Sequence, residues 1–292
     1  MDLLDAYLPH VIGGVTYGLL LFTVASGLTL AFGVADVLNL AHGTVFMVGG
    51  YAAYLVTDGS WWGLVLAALA GTAAGAVFGG ALSGAIMPLA GRGHMMQALL
   101  TFGVSMVVGN LLVQVFGSAE LRPDLPDVLE QPVVFLGHNY PAYHLLFIGA
   151  AGLLAAAGWL VVTRSRVGAL VRAMVDDQDM VAALGVNPKL VLAGVLAVAG
   201  ALAGLAGALG APILGPSLHA ANTVLLQSLV IVVVGGLGSI GGAFVAALLV
   251  GQVHTLGVAL APEWSPYLLF AAMAVALLVR RPPQLLVGGR TT

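Results

Sequence analysis

The sequence is dominated by apolar stretches that are long enough to cross a lipid bilayer. A helical crossing takes about 20 residues, and nine stretches reach or approach that length. They are Val11–Phe32, His42–Thr57, Trp61–Met87, Met95–Phe116, Tyr143–Val162, Leu190–Ala211, Thr223–Val234, Gly242–Ala261 and Pro266–Val279. The second, seventh and last are short for a full crossing, so each is a tilted end, a half-helix or part of a broken helix. We therefore predict eight to ten membrane segments.

The scarcity of charge supports the same interpretation. Only 7% of the 292 residues are charged, whereas a soluble domain carries roughly 25%. So few charges cannot cover a water-facing surface of this size, and the bilayer must be the solvent for most of the chain. The predicted fold is an all-α, polytopic transmembrane helical bundle with broken or re-entrant helices, forming one domain over residues 1–292.

The basic residues predict which ends of the segments face the cytoplasm. Cytoplasmic loops of membrane proteins are enriched in Lys and Arg. If the polar loop at about 164–189 is cytoplasmic and the segments alternate, eight of the nine basic residues fall inside and only Arg122 falls outside. Eight of the twelve acids fall outside under the same assignment. The prediction is an N-terminus outside and a C-terminus inside.

The 164–189 loop is the longest polar run within the apolar chain. It holds four of the nine basic residues and three of the twelve acids. We interpret it as a helical cytoplasmic loop on which a soluble partner docks. The alternative is an ordinary positively charged loop that only sets the topology.

The loop at about 117–141 falls on the opposite, extracytoplasmic side. It contains four prolines and four acids, a composition that predicts irregular structure outside the hydrocarbon. This loop either receives a soluble partner or only connects two crossings.

Two rows of small residues predict close helix packing. Gly71, Gly75 and Gly79 recur every four residues and Ser83 continues the row, while Gly200 and Gly204 repeat the spacing. Such rows let a second helix approach closely, within the chain or in a partner.

Among the places where polar residues or glycines interrupt the apolar pattern, two hold the candidate pathway residues. In 32–43, Asp36, Asn39 and His42 are three residues apart, which on a helix would leave them on one face. They line a pathway in a broken helix or form a short cytoplasmic turn. In 232–242, five glycines indicate a re-entrant hinge or a plain tight turn.

Several function classes are excluded or disfavoured. The chain has no Cys, and it lacks HExxH and GxSxG motifs and paired membrane carboxylates; we expect neither an enzyme nor a metal site. A net charge of −3 gives no indication of nucleic-acid binding. Few ionisable residues lie within the crossings, which disfavours proton coupling, so energy for uphill transport would come from another chain.

Three motifs, in order along the chain, resemble those of the permeases of branched-chain amino-acid ABC importers, the Liv type. They are SGLTLAFGVADVLNLAHGTVFMVGGYAAY at Ser26–Tyr54, RAMVDDQDMVAALGVNP at Arg172–Pro188 and VVVGGLGSIGGAFVAALLVG at Val232–Gly251. GGY at Gly49–Tyr51 replaces the family's more usual GAY. The length and the AHG motif are similar to the LivH-like subunit rather than the longer LivM-like one.

The resemblance implies a type II-like ABC importer permease in the bacterial inner membrane. It implies as partners a second, LivM-like permease, two cytoplasmic ATPases that bind ATP and Mg²⁺, a periplasmic substrate-binding protein and membrane lipid; no cofactor is expected in this chain. It implies that Arg172–Gly185 forms a short coupling helix that rests in a groove of an ATPase. The residues that it assigns to ATPase coupling are Arg172, Ala173, Asp177, Met180, Ala182, Ala183, Leu184 and Gly185. Those that it places at the pathway or gate are Asn39, His42, Gly43, Gly235, Gly236 and Gly238.

The sequence does not identify the substrate. Permeases of the family carry branched-chain or other amino acids, urea or small carboxylates, and selectivity rests mostly with the binding protein. A different hypothesis is a self-sufficient channel or secondary carrier for a small neutral solute, which the glycine-rich breaks would suit.

Overall fold

The computed structural model describes residues 3–89, 93–117, 119, 121–135 and 137–279. Within these residues the chain forms twelve α-helices, a 3-10 turn and one pair of strands. The helices are α1 (Leu3–Ala35), α2 (His42–Val56), α3 (Trp61–Ile86), α4 (His94–Phe116), α5 (Asp127–Glu130), α6 (Ala142–Arg164), α7 (Arg166–Asp176), α8 (Gln178–Ala183), α9 (Pro188–Leu214), α10 (Leu218–Gly235), α11 (Ile240–Leu260) and α12 (Ser265–Val279). The 3-10 turn is Met87–Leu89, and strands β1 (Pro132–Phe135) and β2 (His138–Pro141) pair antiparallel.

Nine of these helices correspond to the nine predicted segments. Seven helices within the described residues are long and apolar enough to cross a membrane, and the exceptions among the nine, α2 and α12, have 15 residues each. The seventh segment is longer than the sequence indicated, because α10 extends over 18 residues and begins at Leu218 behind the side-chain cap of Ser217.

α1 is the central helix of the bundle. Leu20, Leu21, Val24, Ala25 and Leu28 are fully buried on it, and it packs against α6, α9, α10 and α11. Its uniformly apolar sequence is buried on several sides, which is the pattern of a helix enclosed by other helices. The main core of the subunit is therefore built around α1.

The two predicted glycine rows meet each other. A Cβ added at Gly75 would strike the carbonyl oxygen of Gly200, and one added at Gly204 would strike that of Gly71. α3 and α9 share the most extensive helix–helix contact in the described chain. The rows therefore serve packing inside this subunit, with backbone against backbone.

The loop between α4 and α6 is more regular than predicted. Its prolines were expected to prevent regular structure, yet α5 and the β1–β2 pair lie within it. Pro132 and Pro141 face each other at the open end of the strand pair, where the loss of an N–H is tolerated. We name this end of the bundle the hairpin end.

The opposite end carries the connection from α6 to α9, and we name it the loop end. Gly33 near the end of α1 approaches Gly238, and Asp36 lies 3.5 Å from His94 at the start of α4. At the hairpin end, Gly59 approaches Leu125. The direction of the helices and these contacts thus assign the same helix ends to each of the two sides of the bundle.

Candidate functional site

The loop end carries a helical elbow formed by α7 and α8. α6 ends at Arg164, and Ser165 caps α7 by accepting a hydrogen bond from the Gly168 N–H at 3.0 Å. Gly168 packs so closely that a Cβ there would meet the carbonyl oxygens of Val161 and Val162. The absence of a side chain at this position lets α7 fold back against the end of α6.

Arg172 fastens this elbow from within the chain. Its guanidinium donates to the carbonyl oxygen of Val162 in the last turn of α6. Carbonyls in a last turn have no partner within their own helix, and a cation is favourable there. The structure therefore gives Arg172, assigned to ATPase coupling by resemblance, a structural contact with α6.

The predicted coupling helix is divided in two at Asp177. Asp177 ends α7 and caps α8, where its carboxylate accepts from the Met180 N–H at 2.9 Å. The single helix expected over 172–185 is thus replaced by α7 and the six-residue α8. As an N-cap residue, Asp177 accepts a hydrogen bond from a backbone N–H at the start of α8. Inside one continuous helix the same carboxylate would not have this partner.

α8 presents a small apolar surface outward. Val181 is buried and anchors the helix, while Met180 and Leu184 are 63% and 79% exposed. Ala182 and Ala183 are exposed beside them, and Ala173 on α7 is half-buried. We name Met180, Ala182, Ala183 and Leu184 the α8 surface; it combines apolar side chains with small ones that permit close approach.

Gly185 ends α8 in a conformation that few other residues adopt. Its φ is +86°, its N–H donates to Ala182 O at 3.0 Å, and the Val186 N–H donates to Val181 O at 3.4 Å. This is the Schellman arrangement, in which glycine is the usual left-handed residue. Asn187 then caps α9 by accepting from the Lys189 N–H at 3.0 Å, so both ends of this short connection are fixed.

The stretch between α1 and α2 is not helical, which both predicted alternatives, a broken helix and a short turn, allow. Residues 36–41 are not helical, and Asp36 has a φ of +51° directly after α1. His42 Nε2 donates to the carbonyl oxygen of Val24 at 2.9 Å, about three helical turns before the end of α1. α2 therefore begins inside the bundle rather than at its surface.

Asp36, Asn39 and His42 do not share one helical face, because residues 36–41 are not helical. Asp36 is exposed and contacts His94. Asn39 is buried and its side-chain oxygen accepts from the Ala41 N–H at 3.0 Å. His42 is fully buried, so its contacts are all within the subunit; Nδ1 has no hydrogen-bond partner in the described structure.

Gly43 is required by close packing. A Cβ there would strike the carbonyl oxygen of Ala221 on α10. Asn39, His42 and Gly43 are thus held among α1, α2 and α10, inside one subunit. Their role at a pathway or gate stays a prediction.

The glycine-rich stretch at 232–242 forms the tight turn rather than the re-entrant hinge. α10 ends at Gly235, Gly236 and Gly238 have φ values of +97° and +76°, and Ser239 caps α11. Gly235 packs against the backbone of Ala243 across the turn. The three glycines permit a short reversal at the loop end, and their gating role is likewise untested.

One set of buried polar residues was missed at the sequence level. Gln97, Thr101 and Ser105 lie on one face of α4 and are buried, and the last two contact the 38–44 stretch. Thr101 Oγ1 accepts from the Leu40 N–H at 3.0 Å and lies 3.2 Å from Leu38 O, and Ser105 Oγ lies 2.7 Å from Thr44 Oγ1. Their four-residue spacing, continued by Gly109, was the available signal.

Four of the five basic residues that the structure describes lie at the loop end, and one lies at the hairpin end. Arg164, Arg166, Arg172 and Lys189 are at the loop end, and Arg122 is at the hairpin end. The other four basic residues, Arg92, Arg280, Arg281 and Arg290, lie outside the described residues. This distribution agrees with the predicted topology, although the orientation in the membrane stays a prediction. The described residues contain no group of three or more His, Asp or Glu placed to hold a metal ion.

Comparisons with known proteins identify the family. Residues 10–278 match the family described as "Branched-chain amino acid transport system / permease component". The chain is 29% identical over 217 residues to the high-affinity branched-chain amino acid transport system permease protein BraD of Pseudomonas aeruginosa, covering 70% of each chain. It is 27% and 26% identical, with the same coverage, to the LivH permease proteins of Escherichia coli K12 and Salmonella typhimurium.

No solved structure matches the chain. The family match nevertheless runs from within α1 to within α12 and includes the elbow between α6 and α9. The chain therefore belongs to the Liv-type family of branched-chain amino-acid permeases, which are multi-pass membrane transport proteins.

Proposed function

We propose that this chain is the permease subunit of an ATP-driven importer, and that it forms half of a translocation pathway for branched-chain or other small amino acids. The α8 surface, held out at the loop end on a fastened elbow, carries the proposal. An exposed apolar patch on an otherwise polar loop is typical of a surface that another protein covers. The names of the relatives support the amino-acid substrate.

In the proposed assembly, an ATPase subunit docks on the α8 surface. Capping fixes α8 at Asp177 and at Gly185, and Arg172 ties α7 to α6. A push on α8 would therefore move the elbow as a unit and reach α6. A second, LivM-like permease would complete the pathway, a periplasmic binding protein would deliver substrate, and two ATPases would bind ATP and Mg²⁺.

The docking role is tested by placing charge on the α8 surface. Met180→Glu together with Leu184→Glu should abolish co-purification of the ATPase subunits and ATP-dependent leucine uptake, because both side chains are exposed and their loss does not disturb the core. Val128→Glu is the matched control, since Val128 is 64% exposed on α5 at the hairpin end. It should leave ATPase co-purification unchanged. Normal ATPase binding and uptake by the double variant would refute the docking role.

The machine itself is tested by gentle extraction of the tagged chain from its native membrane. Two ATPases and a second permease should co-purify, and leucine should compete for uptake better than urea or a small carboxylate. If the chain purifies alone and the reconstituted chain passes solute without ATP, it is a self-sufficient channel or carrier instead.

A further inference from the structure

An apolar cleft separates α6 from the rest of the bundle. Two adjoining cavities, of about 230 and 440 Å³, share Leu30 on α1, Val161 and Val162 on α6, and Val198 on α9. Among the other transmembrane helices α6 packs substantially only against α1, and its remaining contacts are near its two ends. We name this continuous space the α6 cleft.

The lining of the cleft suits hydrocarbon and offers no polar group that needs a partner. Thr23 and Ser26 carry the hydroxyls in the wall, and each donates to a carbonyl of α1 itself, at 2.9 and 2.8 Å. The cleft lies between α6, α1 and α9, which are long and apolar enough to span a membrane, and Val167, Leu170 and Val171 of α7 close its loop end. Beside the spanning helices the surroundings are acyl chains rather than water. An apolar ligand is therefore expected to fill it.

The shape of the cleft suits a hydrocarbon chain. The two adjoining cavities form one elongated apolar space along α6, from Phe22 and Leu154 to Val167 and Leu190. A narrow, flexible acyl chain can follow such a space.

Exposed basic residues adjoin in the sequence the residues that line the loop-end mouth of the cleft. Val167 and Leu190 line the cleft there, and Arg166 and Lys189 immediately precede them in the sequence and are exposed. Arg164 is exposed two residues after Val162. The fourth basic residue nearby, Arg172, is directed to the Val162 carbonyl. Basic residues between transmembrane helices at a membrane surface attract anionic lipid headgroups.

We propose that the α6 cleft binds an anionic phospholipid of the surrounding membrane. One acyl chain lies between α6, α1 and α9, and the phosphate lies among Arg164, Arg166 and Lys189. The bound lipid fills the space on this side of α6 and links the helix to α9. This proposal does not depend on the transported substrate or on the ATPase.

Photo-cross-linking in the native membrane tests the occupant. A benzophenone amino acid at Val198, which lines the cleft, should cross-link to phospholipid enriched in anionic headgroups relative to the bulk membrane. The same probe at Val77, which is 72% exposed on α3 away from the cleft, should report the bulk composition. Cross-linking of Val198 to a polypeptide, or the bulk lipid composition at both positions, would overturn the proposal.

Native mass spectrometry of the permease with its co-purifying subunits tests the site. Phosphatidylglycerol and phosphatidylcholine with identical acyl chains serve as probes, and phosphatidylglycerol should be retained about tenfold better. Arg166→Gln with Lys189→Gln should remove this preference while phosphatidylcholine retention is unchanged.

Filling the cleft supplies an independent variant. Gly158 and Gly194 line the cleft, and a Cβ at either would meet nothing within 4 Å, so Gly158→Leu with Gly194→Leu should fold and lose retention of both lipids. Gly84→Leu is the matched control, because Gly84 on α3 is equally open and lies outside the cleft. Equal lipid retention by the filled variant and the control would show that lipid binds elsewhere and would overturn the proposal.

Discussion

The Thr101 hydroxyl holds a non-helical stretch of backbone deep in the bundle. It accepts from Leu40 and lies within reach of Leu38 O. Thr101→Val keeps the shape of the side chain and leaves the Leu40 N–H without a partner, which should lower the free energy of unfolding by about 1–3 kcal/mol. Denaturant unfolding of the detergent-solubilised protein measures this.

Thr163→Val is the control for that measurement. The Thr163 hydroxyl is exposed and bonds only to Trp159 O of its own helix, at 2.7 Å. Its loss should change the free energy of unfolding by less than about 0.5 kcal/mol, as at ordinary surface positions. Equal effects of the two substitutions would show that the bond to Leu40 contributes nothing.

Gly185 should tolerate a residue that accepts a left-handed backbone and reject one that does not. Asn adopts positive φ more readily than other non-glycine residues, and β-branched Val does so least. Gly185→Asn should therefore retain most of the uptake, whereas Gly185→Val should disturb the end of α8 and reduce uptake severalfold. Nothing lies within 4 Å of the added Cβ, so a difference between the two reports backbone conformation rather than a clash. Equal uptake would contradict this.

Asp58 gives the hairpin end a dependence on pH. Its carboxylate accepts from the Ser60 hydroxyl at 2.6 Å and from the Ser60 N–H at 3.0 Å, and these bonds, the hydroxyl first, lower the pKa of Asp58. The stabilisation is present above the ordinary Asp pKa of about 3.9 and is lost as the pH falls through the lowered value. Ser60→Ala should raise the pKa of Asp58 toward that ordinary value, as measured by carbon NMR of labelled aspartate. An unchanged pKa would assign the shift to another cause.

At the scale of elements, the contact between α3 and α9 depends on backbone proximity. Gly75→Leu would place a side chain against Gly200 O, which should separate the helices or prevent folding. The free energy of unfolding should fall by about 1–3 kcal/mol or more. Gly84→Leu on the same helix, where the added Cβ meets nothing within 4 Å, is the control. Thermal unfolding compares the two. Equal midpoints would contradict the glycine contact.

Elements were predictable where a single physical property decided them. Apolar length predicted the nine apolar helices, and the spacing of Gly71, Gly75 and Gly79 predicted a close helix contact. The division at Asp177 was not predicted, because an N-cap competes locally with helix continuation and the outcome depends on packing of Val181. α5 and the β1–β2 pair were also missed, since Pro at the open end of a strand pair does no harm.

The candidate site was predictable only in outline. Three motifs located the elbow and the break before α2, but side-chain roles depend on contacts across long sequence separations. Arg172 bonds to Val162, and Thr101 bonds to Leu38 and Leu40. The α6 cleft has no sequence signal, because the residues that line it are as apolar as those that fill a core.

For the whole molecule, orientation is the property to measure next. The chain contains no Cys, so single-cysteine variants need no background removal. Val128→Cys at the hairpin end should react with an impermeant maleimide in spheroplasts, and Lys189→Cys at the loop end, outside the α8 surface, should react only after lysis. Both side chains are exposed. The reverse pattern would invert the predicted topology and place the elbow outside.

The short α2 has a consequence for biosynthesis. Its 15 residues extend about 22 Å, less than the roughly 30 Å of hydrocarbon, and its glycines rest on α9, with Gly49 against Gly204 and Phe46 against Gly207. α9 leaves the ribosome about 130 residues after α2, which at cellular rates takes on the order of ten seconds. Until then α2 packs against α3 but lacks its more extensive contact with α9. α2 can therefore reach its final packing only after α9 has been synthesised, so the helices of this subunit cannot assemble one by one in sequence order.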